Sequence, residues 1–408
     1  MDRGGPEATR NQFEDALERS RWRLGPVRLQ PWIGVRDLQW SANPLGAGEG
    51  SESEEADLSV SVGAGLRAYL PTGHSLFWTA HALPELVWWA DQEDRNRVNG
   101  RFGAGAFAFF NRVRLELSGR REEDLGVVSA ELPQEANHRR DTYTFAVETR
   151  LGFSTSVFGQ LTERRQRHLL EEGERATGAP LQALDRDERT VRTGLRYSPR
   201  ERWTLGAGME WTETESAGAA RDLSSTGTAP FLEVLYSGPK FWSSASVELR
   251  EVEPEPGSAL GETETETYSV QLGIEGNRLS PAFYARRSLN LSVDEDFSHF
   301  THEVVGASLG MPLGRRTRIR AFGETGESEF TAAGTAGAEL VDRLDDVTSF
   351  GGELTFEAYR GLSLSVGGYR TTFDSNLPGE DRTVEVFRTG VDLRLGGWSW
   401  GEGGGGWV

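Results

Sequence analysis

From Leu58 to Leu70 the chain alternates without a break. Leu58, Val60, Val62, Ala64, Leu66, Ala68 and Leu70 are apolar, whereas Ser59, Ser61, Gly63, Gly65, Arg67 and Tyr69 are polar or small. A period of two puts successive side chains on opposite faces of a strand. Strands of soluble proteins are mostly about five or six residues long, which this run far exceeds. A tilted strand that crosses a lipid bilayer needs roughly 9–11 residues. The run therefore predicts a membrane-spanning strand with one face to lipid and one to water.

The pattern recurs along the chain. Tyr143, Phe145, Val147, Leu151 and Phe153 oppose Thr144, Ala146, Glu148 and Arg150, and Trp203, Leu205, Ala207, Met209 and Trp211 oppose Thr204, Gly206, Gly208 and Glu210. Aromatic residues bracket these apolar faces, as girdles at the two membrane interfaces do. Short Gly/Pro/Asn/Ser connections such as 71–73, 198–201, 237–240 and 314–316 alternate with long ones such as 41–56, 123–138, 169–187 and 329–345. Short periplasmic turns facing longer extracellular loops are the asymmetry of outer-membrane barrels. An open edge would leave N–H and C=O groups unpaired in hydrocarbon, so the sheet must close. The expected fold is an all-β, transmembrane, antiparallel up-and-down β-barrel of about eighteen strands over 27–396. Residues 1–26 form a separate periplasmic or lumenal segment, where Phe13, Ala16, Leu17 and Ser20 have helical spacing and Asn11 is a candidate cap. Residues 397–408 form a Gly/Trp-rich tail.

Composition excludes several functions. The chain has no Cys, which removes disulfides, thiolate metal sites and cysteine nucleophiles. A net charge of -19 argues against nucleic-acid binding. The acidic runs Glu49–Asp57, Arg121–Asp124 and 251–266 are expected in loops. There is no apolar stretch long enough for a transmembrane helix, and Met1–Gly25 lacks the apolar centre of a signal peptide, so a leader is expected to have been removed.

No catalytic constellation stands out. Gly306–Gly310 reads GASLG, but it lies inside an alternating strand rather than at the sharp strand-to-helix turn that a nucleophile elbow needs. His299 and His302 near Asp294, Glu295 and Asp296 read as a solvated loop end rather than a metal site. No cofactor, metal or enzymatic activity is expected. Arg287 falls on the lipid face by strict parity, a placement that calls for a bulge, a shifted register or an interfacial depth.

The functional surface is then the water-facing wall. By parity it carries Arg28, Arg36, Arg67, Arg114, Arg150, Arg192, Arg196, Arg250, Arg318, Arg320 and Arg394, together with Glu116, Glu148, Glu210, Glu248, Glu275, Glu353, Glu357 and Asp392. Charges of both signs on an inner wall pair across strands and bias a channel toward one ion sign. Arg318 and Arg320, with Arg315 and Arg316 in the adjoining turn, make the clearest basic cluster.

With its strand number, acidic loops and segments such as LSVSVGAGLRAYL and LSLSVGGYRTTF, the chain resembles the outer-membrane β-barrel porins of polysaccharide-export operons, the "β-barrel porin 2" type. The resemblance covers about 27–395. It implies an outer-membrane channel that passes a secreted polysaccharide or another polar, anionic solute, with periplasmic export proteins as partners. Lipopolysaccharide and outer-membrane lipid are the expected surroundings. A general diffusion porin and a plugged, scaffolding barrel are the alternatives.

Overall fold

The computed structural model describes residues 6–20, 22–41, 57–91, 96–127, 131, 135–169, 184–217, 221–292, 294, 296–332, 343–359, 362–378 and 380–394. Within these, the side chains of 6–9, 36, 37, 41, 125–127, 135, 136 and 394 are not described. The 397–408 tail and most of the 49–57 acidic run lie outside these residues.

Among the described residues, one sheet of nineteen strands forms the wall of the molecule. Strand β1 (Trp22–Leu24) is three residues long and folds back on the start of β2 (Val27–Ser41). The other strands, β2 to β19 (Arg382–Arg394), are eighteen antiparallel spans of 12–17 residues, each paired to its neighbours in sequence. β19 pairs with β2, from Val386↔Ser41 to Arg394↔Trp32, and so closes the barrel. β1 pairs with Val27–Leu29 just below the point where β19 pairing ends, and covers that edge of β2. Closure satisfies the backbone of every span inside the sheet, the condition lipid imposes.

The alternation expected for Leu58–Leu70 is present in β3 (Asp57–Thr72). Leu58, Val62 and Leu66 are exposed outward, and Ser59 and Ser61 are buried inward. Directly opposed residues in antiparallel strands share a face, so the registers carry the inward set from strand to strand around the ring. β2 contains the one break in this parity that matters. Its pairing with β3 passes from Val35↔Val62 to Asp37↔Ser61, which leaves Arg36 at a bulge. Below the bulge even residues face inward, as in buried Gln30 and Trp32; above it odd ones do, as in buried Gln39. The extra residue keeps Ile33, Leu38 and Trp40 all outward. The expected inward placement of Arg36 thus lost its basis, and its side chain lies outside the described residues.

Glycines on the inner wall make room for large neighbours. A Cβ on Gly273 would collide with the Trp242 indole, one on Gly306 with the Tyr284 ring, and one on Gly208 with the Thr193 carbonyl and the Phe231 ring. Gly73 and Gly314 serve tight turns, with φ of 65° and 78°.

Two expectations are corrected, and the outward placement of Arg287 is met at an interfacial depth. The acidic run Arg121–Asp124 lies in strand β6 (Val113–Val127), not in a loop, and residues of 251–266 extend β12 (Phe241–Pro254) and β13 (Thr263–Ile274). These strands rise above the hydrocarbon, where both faces meet water and alternation disappears. Arg287 does face outward, without a bulge: its Nη1 is 3.4 Å from Glu303 Oε2, and Tyr268 Oη donates to Glu303 Oε1 at 2.8 Å. Helix α1 (Pro6–Arg19) begins before Asn11. Proline suits the first helical position, because its fixed φ is helical and its missing N–H has no partner there in any case.

α1 packs on the inner wall at the short-turn end. Phe13 stacks on Phe77 (5.7 Å between centroids) and contacts Phe107 at 4.7 Å. Gln30 Nε2 donates to Ala16 O and to Ser20 Oγ, both at 2.9 Å. The helix thus occupies part of the periplasmic end of the lumen.

Replacing Gly208 with Val should destabilise the barrel by about 1–3 kcal/mol, the usual cost of overpacking. Gly159→Val, where an added Cβ meets only Val147 at 3.8 Å, should be near neutral. Urea titrations of heat-modifiable migration in gels would separate the two.

Candidate functional site

The water-facing wall gathers charge in three places. The first is a network at mid-height on β7 (Glu135–Arg150) through β12. Arg192 Nη1 lies 3.1 Å from both Glu210 Oε2 and Glu248 Oε1, and its Nη2 is 3.7 Å from Glu233 Oε2. Arg250 Nη2 pairs with Glu210 at 3.1 Å and Glu248 at 3.3 Å. Arg196 joins Glu233 at 2.9 Å and Glu148 at 3.6 Å. Two rings support the guanidiniums from below: Arg192 sits 3.7 Å over Phe231, and Arg196 4.1 Å over Phe158. A guanidinium over an aromatic face keeps its edge N–H groups free for carboxylates.

Six residues expected on the inner wall meet in this network: Glu148, Arg192, Arg196, Glu210, Glu248 and Arg250. Glu233 was missed. In Pro230–Tyr236 (PFLEVLY) both strand faces are apolar apart from this one carboxylate, so parity has no reference. Only the Gly206↔Glu233 pairing fixes its direction.

The second place lies toward the long-loop end. Arg120 (β6), Arg140 (β7), Arg164 (β8, Thr155–His168) and Arg186 (β9, Arg186–Arg200) face inward on four successive strands. Arg164 and Arg186 lie 3.3 Å and 3.6 Å from Glu188, and Arg120 lies 3.6 Å from Glu122. Arg140 makes no ion pair among the described residues, and the buried Nε atoms of Arg140 and Arg164 have no hydrogen-bond partner there. This row was not expected from the sequence. Its local sequences, such as GRREED and ERRQR, are polar on both faces and hide their parity. Arg140 and Arg186 line a recess of about 320 Å³ with Glu188, Thr212, Thr263 and Asn290.

The third place closes over the mouth. Glu131 belongs to the β6–β7 connection, yet Ser292 Oγ donates to its carboxylate at 2.9 and 3.1 Å. Ser292 follows β14 (Ser280–Leu291), eight strands away around the ring. Arg343 Nη1 stands 3.7 Å from Glu131 Oε1 and pairs with Asp345 at 2.8 Å, while Arg382 donates to the Glu131 carbonyl. Arg343, Glu131, Asp345 and Arg382 are 3% exposed or less. Burial works against the Arg343 charge, but Asp345, Glu131 and Glu380 outweigh it and hold its pKa above the ordinary value. Nearby, the Ser224 hydroxyl and amide hold the Asp222 carboxyl below the ordinary value.

The other expected wall residues are scattered. Arg114 pairs with Glu116 at 3.4 Å on β6. Trp32 Nε1 donates to Asp392 at 3.3 Å. Arg28 and Arg67 face inward at Tyr69 and Gln30, and Arg150 faces Ser156. Arg318 and Arg320 face inward on β16 (Thr317–Ala332) opposite Thr355 and Glu353, and make no ion pair among the described residues. Glu357 faces inward opposite Ser363. Glu275 lies just past β13 and is exposed. The Arg394 side chain is outside the described residues.

The GASLG segment sits inside β15 (Phe297–Leu313). His299 and His302 lie within the same strand and are buried, not at a solvated loop end, and His302 Nδ1 lies 2.9 Å from Ser328 Oγ, away from Ser308. Among the described residues no group of His, Asp or Glu is arranged to hold a metal.

No protein-family model matches this sequence, and no curated protein sequence matches it. Solved structures do share the fold. OccK9 (OpdG) of Pseudomonas aeruginosa superposes with a TM-score of 0.53 at 12% identity, over 90% of this chain and 98% of that one. OpdO of the same organism gives 0.52 at 10% identity, over 91% and 98%. OccK2 (OpdF) of P. aeruginosa, solved in complex with glucuronate, gives 0.52 at 10% identity, over 90% and 98%. This chain is therefore a closed, eighteen-strand antiparallel barrel with the fold of outer-membrane channels. Its apolar exterior and that fold place it in a bacterial outer membrane.

Arg343→Met should remove the closest cation from Glu131 and Asp345 and leave Arg382, 3.7 Å from Asp345, as the buried charge beside them, at a local cost of about 3–5 kcal/mol, that of breaking a buried pair. The expected outcome is faster proteolysis at the mouth of the intact barrel, with thermal unfolding of the strands little changed.

Proposed function

We propose that the protein is a passive outer-membrane channel for small polar solutes, favouring anions. The observation that carries this reading is the arginine row of the upper lumen. Four guanidiniums share two nearby carboxylates, Glu122 and Glu188, and Arg140 is left without an ion pair among the described residues. A confined excess of positive charge lowers the barrier for an anion and raises it for a cation. The hydroxyls of Thr212 and Thr263 and the Asn290 amide, beside the arginines, suit a solute that carries its own hydroxyls. A hydroxylated carboxylate like the glucuronate bound to OccK2 has the right size and chemistry for that recess. No catalytic step is part of the proposal.

A general diffusion porin is the second reading. The mid-height network favours it: Arg192, Arg196 and Arg250 are offset by Glu148, Glu210, Glu233 and Glu248, which leaves that level without an anion preference. Export of a polysaccharide gains no support from the similar structures. Glu131 held across the mouth also favours small solutes over a polymer chain.

Reversal potentials across planar bilayers in a KCl gradient test the proposal. The channel should pass chloride more readily than potassium. Arg140→Glu combined with Arg186→Glu should move the permeability ratio several-fold toward the cation, with the barrel still folded. A wild-type channel without anion preference would leave the diffusion-porin reading, and absence of any conductance would exclude both.

A further inference from the structure

The outer surface is not uniform around the barrel. From β6 round to β19, every strand except β11 (Ser225–Ser237) carries a charged, outward-facing residue within about seven residues of its long-loop end. Arg121, Asp141, Glu163, Glu213, Glu251 and Glu385 are examples. These residues form a collar level with the lipid headgroups. Among the described side chains, β3, β4 (Leu76–Trp89) and β5 (Arg97–Phe109) carry no outward charge at this height, and on β2 those of Arg36 and Asp37 lie outside the described residues. Outside the bulge at Arg36, the outward positions at that height are apolar: Leu38, Trp40, Leu58, Trp88, Val98 and Phe102, all 36% exposed or more. Below them Ala64, Ala80, Ala82 and Ala104 make the wall flat.

Acyl chains cover the lower part of any such wall, but not the collar level, where the other strands meet water and headgroups. We propose that this face is the contact between two copies of the chain, related by a two-fold axis along the membrane normal. Four strands about 4.8 Å apart, with an apolar height of some thirteen residues at about 3.3 Å each, present roughly 800 Å² per copy. That is the size each partner contributes to a stable interface. A two-fold contact must be self-complementary, and the uncharged outer positions of β3, β4 and β5 meet this without opposing like charges. The face also carries a groove and a matching projection. Trp22, Leu29, Pro31 and Leu66 line an apolar groove of about 220 Å³ near the short-turn end. Trp78, exposed on β4, pairs with Leu70, and so lies close to the groove's height on the other side of β3. A two-fold axis along the membrane normal preserves height, so the Trp78 of each copy meets the groove of the other.

The absence of cysteine allows a direct test in the full-length protein. Ala68→Cys lies on the outer side of β3, between Leu29 of the groove and the strand that carries Trp78, whereas Thr226→Cys lies outward on β11, far from the face. Mild oxidation in native outer membranes should link Ala68→Cys into a dimer and leave Thr226→Cys unlinked. Native mass spectrometry in mild detergent should give the mass of two copies. Leu58→Arg with Trp88→Arg, at a height where neighbouring strands already carry charge, should yield the monomer with heat-modifiable migration retained. A monomeric wild-type mass, a mass of three copies, a second protein in the complex, or equal linkage at both cysteines would overturn the proposal.

Discussion

The structure depends on one rule: a backbone N–H or C=O inside hydrocarbon must find its partner within the protein. An eighteen-strand sheet obeys it by pairing its last strand with its first, here through Val386–Arg394 against Trp32–Ser41. Everything else is arranged around that seam. The bulge at Arg36 lets β2 serve two neighbours while keeping its apolar residues outward. The three residues of β1 extend the pairing where β19 runs out. A closed cylinder of this strand number encloses a volume too wide for side chains to fill, and so creates an inner wall that meets water.

That wall could not be built from isolated charges. Arg192 contacts three carboxylates and one ring, and Arg196 two carboxylates and one ring. Sharing of this kind holds long side chains against the wall and keeps them from filling the lumen. Glycine does the complementary work. Where Gly206, Gly273 and Gly306 stand, a neighbouring Glu233, Trp242 or Tyr284 lies flat across the strand. The two ends are treated differently. Aromatic packing of Phe13 holds α1 at the periplasmic end, whereas a buried ionic cluster around Arg343 holds Glu131 at the outer end.

The exterior follows the same logic with the solvent reversed. Lipid selects apolar residues at mid-height on every strand, so the middle of the barrel says little about its neighbours. The headgroup level is more informative, because there the surroundings change from hydrocarbon to water. Tyr268, Arg287 and Glu303 satisfy one another on the outer face near that boundary.

The sequence by itself determined the class of fold, the strand count, the alternation of turn lengths and the direction of most side chains. It could do so because lipid demands an apolar residue at every second position, and that demand is written locally. Six of the residues expected on the inner wall share one network for the same reason. The tertiary structure decided what local patterning does not encode. The arginine row of Arg120, Arg140, Arg164 and Arg186 sits where strands leave the membrane and both faces turn polar, so no period marks it. Glu233 lies on a strand with two apolar faces. The parity change at Arg36 needs the registers of two neighbouring strands to be seen. Glu131 acquires its place from residues more than 150 positions away, a meeting that only closure of the sheet brings about.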